Sequence, residues 1–158
     1  MISKKNIFYF FFGFIIFIID RVSKIIIINL ANNNSNSEIK ILDFLSLNLI
    51  WNNGIAFGFF SFEENIFYNI LTALIAIVTA VVFFMTIRSE GLEKVAFMMV
   101  FSGSLGNIFD RIYFSSVPDF IDFHINNFHW FTFNFADVFI TLGVILLIIN
   151  EIQFIKKK

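Results

Sequence analysis

The chain has 158 residues, of which 58% are hydrophobic and only 15% are charged, and its formal net charge is -1. Soluble domains carry about 25% charged residues, so this composition excludes an ordinary soluble domain and indicates a membrane protein. The small net charge argues against a nucleic-acid partner, and the absence of Cys excludes disulfides, thiolate metal sites and a thiol nucleophile.

The first predicted element is a membrane-spanning helix over residues 7–30. Its basic start and the apolar run at 7–19 are typical of a secretory signal peptide, but no small-residue cleavage site follows and the apolar sequence resumes at Ile25. We therefore expect an uncleaved span. Asp20 and Lys24 lie within it at i, i+4 spacing, and they could serve a functional site or only neutralise each other on one helix face.

The connection after this helix is long and polar. Residues 45–49 alternate apolar and polar side chains, which predicts a strand, and Asn52 and Gly54 follow in a turn. The Phe-rich segment 57–60 beside the turn is interpreted either as an apolar flap over a site or as an aromatic anchor at the membrane surface.

Three further spans are predicted over residues 65–87, 92–111 and 136–155, since a bilayer requires about 20 helical residues. Lys and Arg fall mainly at the two termini and in the short connection between the second and third spans. The positive-inside rule therefore places both termini in the cytoplasm. Without an internal repeat or a long linker, residues 1–158 are expected to form a single integral membrane domain.

In the last connection, residues 121–125 alternate apolar and polar side chains, and the two Asn residues at 126–127 offer a turn, so a second pair of strands is predicted. His124 and His129 on this hairpin are expected to make ordinary hydrogen bonds, because a zinc protease would need a His-Glu-x-x-His helix. The predicted fold class is an all-α membrane protein, with four transmembrane helices and a small extracytoplasmic β-sheet and loop cap.

Acidic side chains are costly inside a bilayer and are therefore candidates for function. Asp20, Asp110 and Asp137 are expected at a similar depth, in or beside the outer leaflet. Each acid also has a structural interpretation. Arg111 could keep Asp110 ionised, and Asp137 could cap the fourth helix. Asp119 could be an ordinary loop acid.

Four motifs occur in order along the chain. They are Asn-Asn-Gly-Ile-Ala-Phe at 52–57, Gly-Asn-Ile-Phe-Asp-Arg at 106–111, Val-Pro-Asp-Phe-Ile-Asp at 117–122 and Phe-Asn-Phe-Ala-Asp at 133–137. Together with Asp20 and Lys24 in the first span, these motifs closely resemble those of the lipoprotein signal peptidases, also called signal peptidase II. The resemblance covers nearly the whole chain, including the layout of four spans.

The resemblance implies an aspartic endopeptidase of the bacterial inner membrane, with its active site near the extracytoplasmic face. Such an enzyme removes the signal peptide from prolipoproteins by cutting before a Cys that carries a diacylglyceryl group. The resemblance implies Asp119 and Asp137 as the catalytic pair, no metal and no cofactor, and membrane lipids and a globomycin-type inhibitor as further partners. The positions expected to support the site or contact the substrate are Asp20, Lys24, Asn52, Gly54, Asn107, Asp110, Arg111 and Asn134.

Some positions depart from the family pattern. Arg21 stands where Gln is common, and Ile55 replaces a small residue. Pro118 precedes the acid of the third motif, and Val138 stands where Ser is frequent. These differences concern details of the substrate pocket and remove no carboxylate.

Peptide hydrolysis without a metal or a covalent nucleophile requires one group that activates water and another that protonates the leaving amine. Two adjacent carboxylates that share a proton can do both. Two other functions stay open at this point. One is a small transporter or channel subunit whose acids carry protons or bind a cation, and the other is an assembly protein that binds lipoproteins without cutting them.

Overall fold

The computed structural model describes residues 4–33, 38–54, 65–125 and 128–155. The elements found in these ranges are, in chain order, α1 (Lys4–Asn33), β1 (Glu38–Leu42), β2 (Leu45–Asn52), α2 (Asn65–Arg88), α3 (Gly91–Phe114), β3 (Val117–Ile125), β4 (Phe128–Phe133) and α4 (Phe135–Ile155). The strands form one antiparallel sheet in the order β1-β2-β3-β4. The prediction of a mostly helical chain with a small sheet is confirmed.

Among the described residues, two helices have the length and composition of a membrane span. The segments Ile66–Arg88 and Phe135–Ile155 have mean hydropathies of 2.7 and 2.3, and only 17% and 6% of their apolar windows are buried inside the protein. The core helix of a soluble protein would be mostly buried. These helices instead expose large apolar side chains, among them Ile66 and Ile77, and such surfaces are suited to contact with lipid.

Helix α3 contacts each of the other three helices. Small residues allow this packing, as is common between helices in membranes. A Cβ added at Gly143 would lie 2.7 Å from the carbonyl oxygen of Ala96, and one added at Gly106 would lie 2.5 Å from Oδ2 of Asp20. The absence of a side chain at Gly106 therefore allows a carboxylate of α1 to pack directly against α3.

The sheet lies at one end of the helices because of how the chain enters and leaves it. Helix α3 ends at Phe114, and the left-handed φ of 56° at the C-cap residue Ser115 turns the chain into β3. Strand β3 pairs with β2 on one side and with β4 on the other. Strand β4 ends at Phe133, and α4 begins at Phe135. The sheet, the C-terminal end of α3 and the N-terminal end of α4 are thus neighbours.

Candidate active site

Two buried acids lie on the same cavity at this end of the bundle. Asp119 is in β3 and is 2% exposed, while Asp137 is in the first turn of α4 and is 7% exposed. The cavity has a volume of about 230 Å³ and is lined by both acids and by polar and apolar side chains of α2, α3 and α4. The two acids, which are 18 positions apart in the sequence, therefore line the same cavity.

One asparagine connects the two acids. Nδ2 of Asn134 donates a hydrogen bond to Oδ1 of Asp119 over 2.6 Å, and its Oδ1 accepts one from the backbone N–H of Asp137 over 3.1 Å. In return, Oδ2 of Asp137 accepts the backbone N–H of Asn134 over 3.3 Å. This reciprocal pair is a capping box at the start of α4. The residue that caps the helix is therefore Asn134, and Asp137 is its third helical residue.

Each acid has a further amide partner. Nδ2 of Asn52 donates to Oδ2 of Asp119 over 2.8 Å, and its Oδ1 accepts the backbone N–H of Gly54 over 2.8 Å, which closes the turn at the end of β2. Nδ2 of Asn107 donates to Oδ1 of Asp137 over 2.9 Å. Both oxygens of each carboxylate thus accept a hydrogen bond, and the orientation of both groups is defined.

The environment of Asp119 favours its protonated form. Burial, followed by the nearby negative charge of Asp137, raises the pKa of Asp119 from 3.8 to about 7. The hydrogen bonds from Asn52 and Asn134 act in the opposite direction, because they stabilise the ionised form. The negative charge of Asp137 thus adds to the effect of burial and opposes ionisation of Asp119.

A second group of charged residues lies beneath the cavity, between α1 and α3. Nζ of Lys24 lies 2.8 Å from Asp20 and 2.6 Å from Asp110, and all three side chains are 0–1% exposed. Arg21 pairs with the same two acids. Two cations therefore balance two carboxylates, as buried charges require. Asp20 and Lys24 do neutralise each other, but within this larger cluster.

The charged cluster is connected to the two acids of the cavity. Nζ of Lys24 donates to Oδ1 of Asn107 over 2.9 Å, and the amide of the same Asn107 reaches Asp137. Oδ1 of Asp20 accepts the backbone N–H of Ala136 over 3.1 Å. The first turn of α4 is thus held from α1 and from α3, so the cluster defines the position of Asp137.

The prediction that Arg111 pairs with Asp110 is wrong. The side chain of Arg111 turns to the cavity, whereas that of Asp110 turns to α1. Asp110 instead binds Lys24 and Arg21. Arg111 lines the cavity and donates from Nη2 to the carbonyl oxygen of Gly54 over 2.6 Å. Its Nε and Nη1 are buried and have no hydrogen-bond partner within the part of the chain that the structure describes.

Arg21 is the residue of this region that sequence reasoning missed. It was noted only as a departure from a family pattern, yet its guanidinium binds Asp20 and Asp110 and lies 4.9 Å from the ring centroid of Phe109. The available signal was an arginine inside an apolar helix, which calls for a buried partner. The Phe-rich segment 57–60 and Ile55 lie outside the described residues.

The chain matches known proteins over most of its length. The family described as Signal peptidase (SPase) II matches residues 12–153. A lipoprotein signal peptidase of Pelagibacter ubique is 44% identical over 144 residues, which cover 91% of this chain and 87% of that protein. A lipoprotein signal peptidase of Francisella tularensis subsp. novicida is 38% identical over 125 residues, which cover 77% of each chain.

Two solved structures are similar as well, and both are described as bacterial membrane enzymes. The first has a TM-score of 0.76 at 28% identity and covers 95% of this chain and 90% of that chain. The second has a TM-score of 0.71 at 29% identity and covers 90% of each chain. The similarity therefore includes both the helices and the sheet.

Proposed function

Because this chain belongs to the signal peptidase II family, we propose that it is an aspartic endopeptidase with Asp119 and Asp137 as its catalytic pair. Family membership supports the removal of signal peptides from prolipoproteins by a bacterial membrane protease. The aspartic mechanism is supported by one observation above all. Two buried carboxyl groups line the same cavity and are bridged by the side chain of Asn134.

The two acids have different environments, which assigns them different roles in the proposal. Asp137 lies in the first turn of α4, where the positive end of the helix dipole favours a negative charge. Asp119 lies in the sheet, and burial raises its pKa to about 7. In this proposal the shared proton is assigned to Asp119, and Asp137 is its ionised partner.

Hydrolysis follows from this distribution of protons. Asp137 accepts a proton from water as the water oxygen attacks the carbonyl carbon of the scissile bond, and Asp119 donates its proton to the carbonyl oxygen. When the C–N bond breaks, the proton held by Asp137 passes to the leaving amine and Asp119 regains its own from the intermediate. Asn52, Asn107 and Asn134 orient the carboxyl groups. The N–H groups of Arg111 that have no partner among the described residues are available to the substrate backbone.

Helices α1 and α3 complete the proposed membrane domain of residues 1–158. At 30 and 24 residues they extend about 45 and 36 Å, more than the hydrocarbon thickness of about 30 Å. With four spans, the distribution of Lys and Arg supports the proposal that both termini are cytoplasmic and that the sheet and the cavity lie near the extracytoplasmic face.

A site at this depth suits a lipid-modified substrate. Acyl chains of a diacylglyceryl-cysteine stay in the membrane, so the adjacent peptide bond is held near the interface. The cavity has Ile75 of α2 and Ile140 of α4 among its lining residues, and these offer an apolar approach from the membrane. The proposed cut is immediately before the lipidated Cys, and the proposed inhibitor of the same cavity is a globomycin-type cyclic peptide.

The experiment uses the purified protein in detergent and a synthetic prolipoprotein segment, with and without the diacylglyceryl group on its Cys. Mass spectrometry identifies the products. We expect cleavage of the lipidated segment before the modified Cys and little cleavage of the unmodified one. No cleavage of either segment, or cleavage at another bond, would refute the proposed specificity.

A further inference from the structure

We propose that Asp122, His124 and His129 form a binding site for a divalent metal ion of the zinc type. The strands bring these residues together. Asp122 and His124 are two positions apart in β3, so their side chains point to the same face of the sheet. His129 of β4 lies directly opposite His124 in the antiparallel pairing. Three metal-ligating side chains thus share one patch.

The distances within this patch are close to those of a metal site. One donor atom from each residue can be chosen so that all three lie within 4.8 Å of one another. Ligands at about 2.1 Å from a tetrahedral zinc ion lie about 3.4 Å apart. Small rotations of the side chains are therefore enough, and His129 has room to rotate because its side chain is 53% exposed.

Two of the donor groups lack partners in the described structure. Oδ1 of Asp122 and Nδ1 of His124 are buried, and neither has a hydrogen-bond partner among the described residues. Asp122 is 1% exposed and His124 is 7% exposed. Buried polar atoms are nearly always satisfied, so these two atoms, which have no partner among the described residues, are available to bind an ion.

The chemistry of the donors selects the ion. Two imidazoles and one carboxylate suit zinc and similar ions, whereas Mg²⁺ prefers oxygen ligands alone. The exposed side of His129 leaves a path for the ion and space for water as a fourth ligand. The bound ion would connect β3 to β4 and stabilise the sheet.

The alternative is a simple hydrogen-bonded pair. Nδ1 of His129 lies 2.6 Å from Oδ2 of Asp122, and Ser46 also contacts that oxygen at 3.5 Å. This pair uses one oxygen of Asp122, and it leaves the other oxygen and Nδ1 of His124 without a hydrogen-bond partner among the described residues. The site is also distinct from the proposed catalytic cavity, whose lining includes none of the three residues.

The test uses full-length protein without a polyhistidine tag, purified in detergent and titrated with Zn²⁺ and Mg²⁺ by calorimetry. We expect one Zn²⁺ per chain, a higher midpoint of thermal unfolding with Zn²⁺, and no response to Mg²⁺. His129→Ala and His124→Ala should each weaken Zn²⁺ binding at least about 10-fold, since even residues that only support metal ligands contribute about 10- to 100-fold.

Two controls separate this site from other carboxylates. Asp43→Asn removes an exposed acid from the turn between β1 and β2, and Asp119→Asn removes a proposed catalytic acid. Both variants should bind Zn²⁺ as the parent does. Because His129 is half-exposed, its Ala variant is expected to fold, which thermal unfolding without metal verifies. No Zn²⁺ binding by the parent, equal binding by the folded His129→Ala variant, or loss of binding in Asp119→Asn would overturn the proposal.

Discussion

Replacing Asn52 by Ala should shift the basic limb of the pH–rate profile upward. The amide of Asn52 donates to Oδ2 of Asp119 over 2.8 Å and stabilises the ionised carboxylate. The pKa of Asp119, which burial and the charge of Asp137 raise to about 7, is held down by this hydrogen bond. Without the donor the pKa rises further, so the pair keeps its shared proton to higher pH.

The expected size of the shift follows from the hydrogen bond. A hydrogen bond to a charged group contributes about 1.5 to 3 kcal/mol, and one pKa unit corresponds to about 1.36 kcal/mol. Complete loss would move the limb by about one to two units. Water can enter the cavity, whose volume is about 230 Å³, and replace part of the interaction. We therefore expect a shift of about one unit.

The assay is kcat/KM for a lipidated precursor across the pH range, because this ratio reports the ionisation of the free enzyme. Asn48→Ala is the matched control, since Asn48 is in the same strand but pairs with Glu38 of β1. The parent and the control should lose activity as pH rises through about 7. A limb that stays in place or moves to lower pH in Asn52→Ala would refute the role given to this hydrogen bond.

Two further predictions concern stability in detergent. The pKa of Asp119 is about 7 in the folded protein, whereas an unperturbed Asp has a pKa of 3.8. As the pH rises from 3.8 to about 7, ionisation of Asp119 therefore lowers the free energy of unfolding. Asp119→Asn should therefore be more stable than the parent by up to about 4 kcal/mol above pH 7, and equally stable below about pH 4. Unfolding of both proteins at each pH measures this difference in stability. A difference that does not change with pH would contradict the prediction. Lys24→Met leaves the buried Asp20 and Asp110 with only Arg21 and should cost about 3 to 5 kcal/mol, while adding Asp110→Asn should restore part of the loss. Equal unfolding midpoints for Lys24→Met and the parent would exclude this charge balance.

The alternation of apolar and polar residues in the sequence predicted much of the sheet. The alternating residues at 45–49 and 121–125 lie in β2 and β3. Strand β1 was not predicted, although Glu38, Ile39, Lys40 and Ile41 alternate polar and apolar side chains. The signal was present in the sequence but is short, and the strand is mostly exposed at the edge of the sheet, where its pairing with β2 defines it.

The pairing of charged residues was less accessible from the sequence. Proximity along the chain suggested Arg111 as the partner of Asp110, whereas the fold supplies Arg21 and Lys24 from another helix. Which residues meet across α1 and α3 depends on helix packing and rotation. The composition of a single helix does not contain that information. The resemblance to a family identified the acids, but it did not reveal that Asn134 bridges them.

The proposed catalytic role of the two acids is tested most directly by comparing cleavage of a lipidated precursor by the parent, Asp119→Asn, Asp137→Asn and the exposed-site control Asp43→Asn. Gel mobility of the product and the elution volume of each purified variant are recorded together. We expect Asp119→Asn and Asp137→Asn to remain folded and to lose activity by at least about 100-fold, because general acid–base catalysis contributes about that much to the rate. The control should keep full activity. Cleavage at the parental rate by Asp119→Asn or by Asp137→Asn would contradict the mechanism.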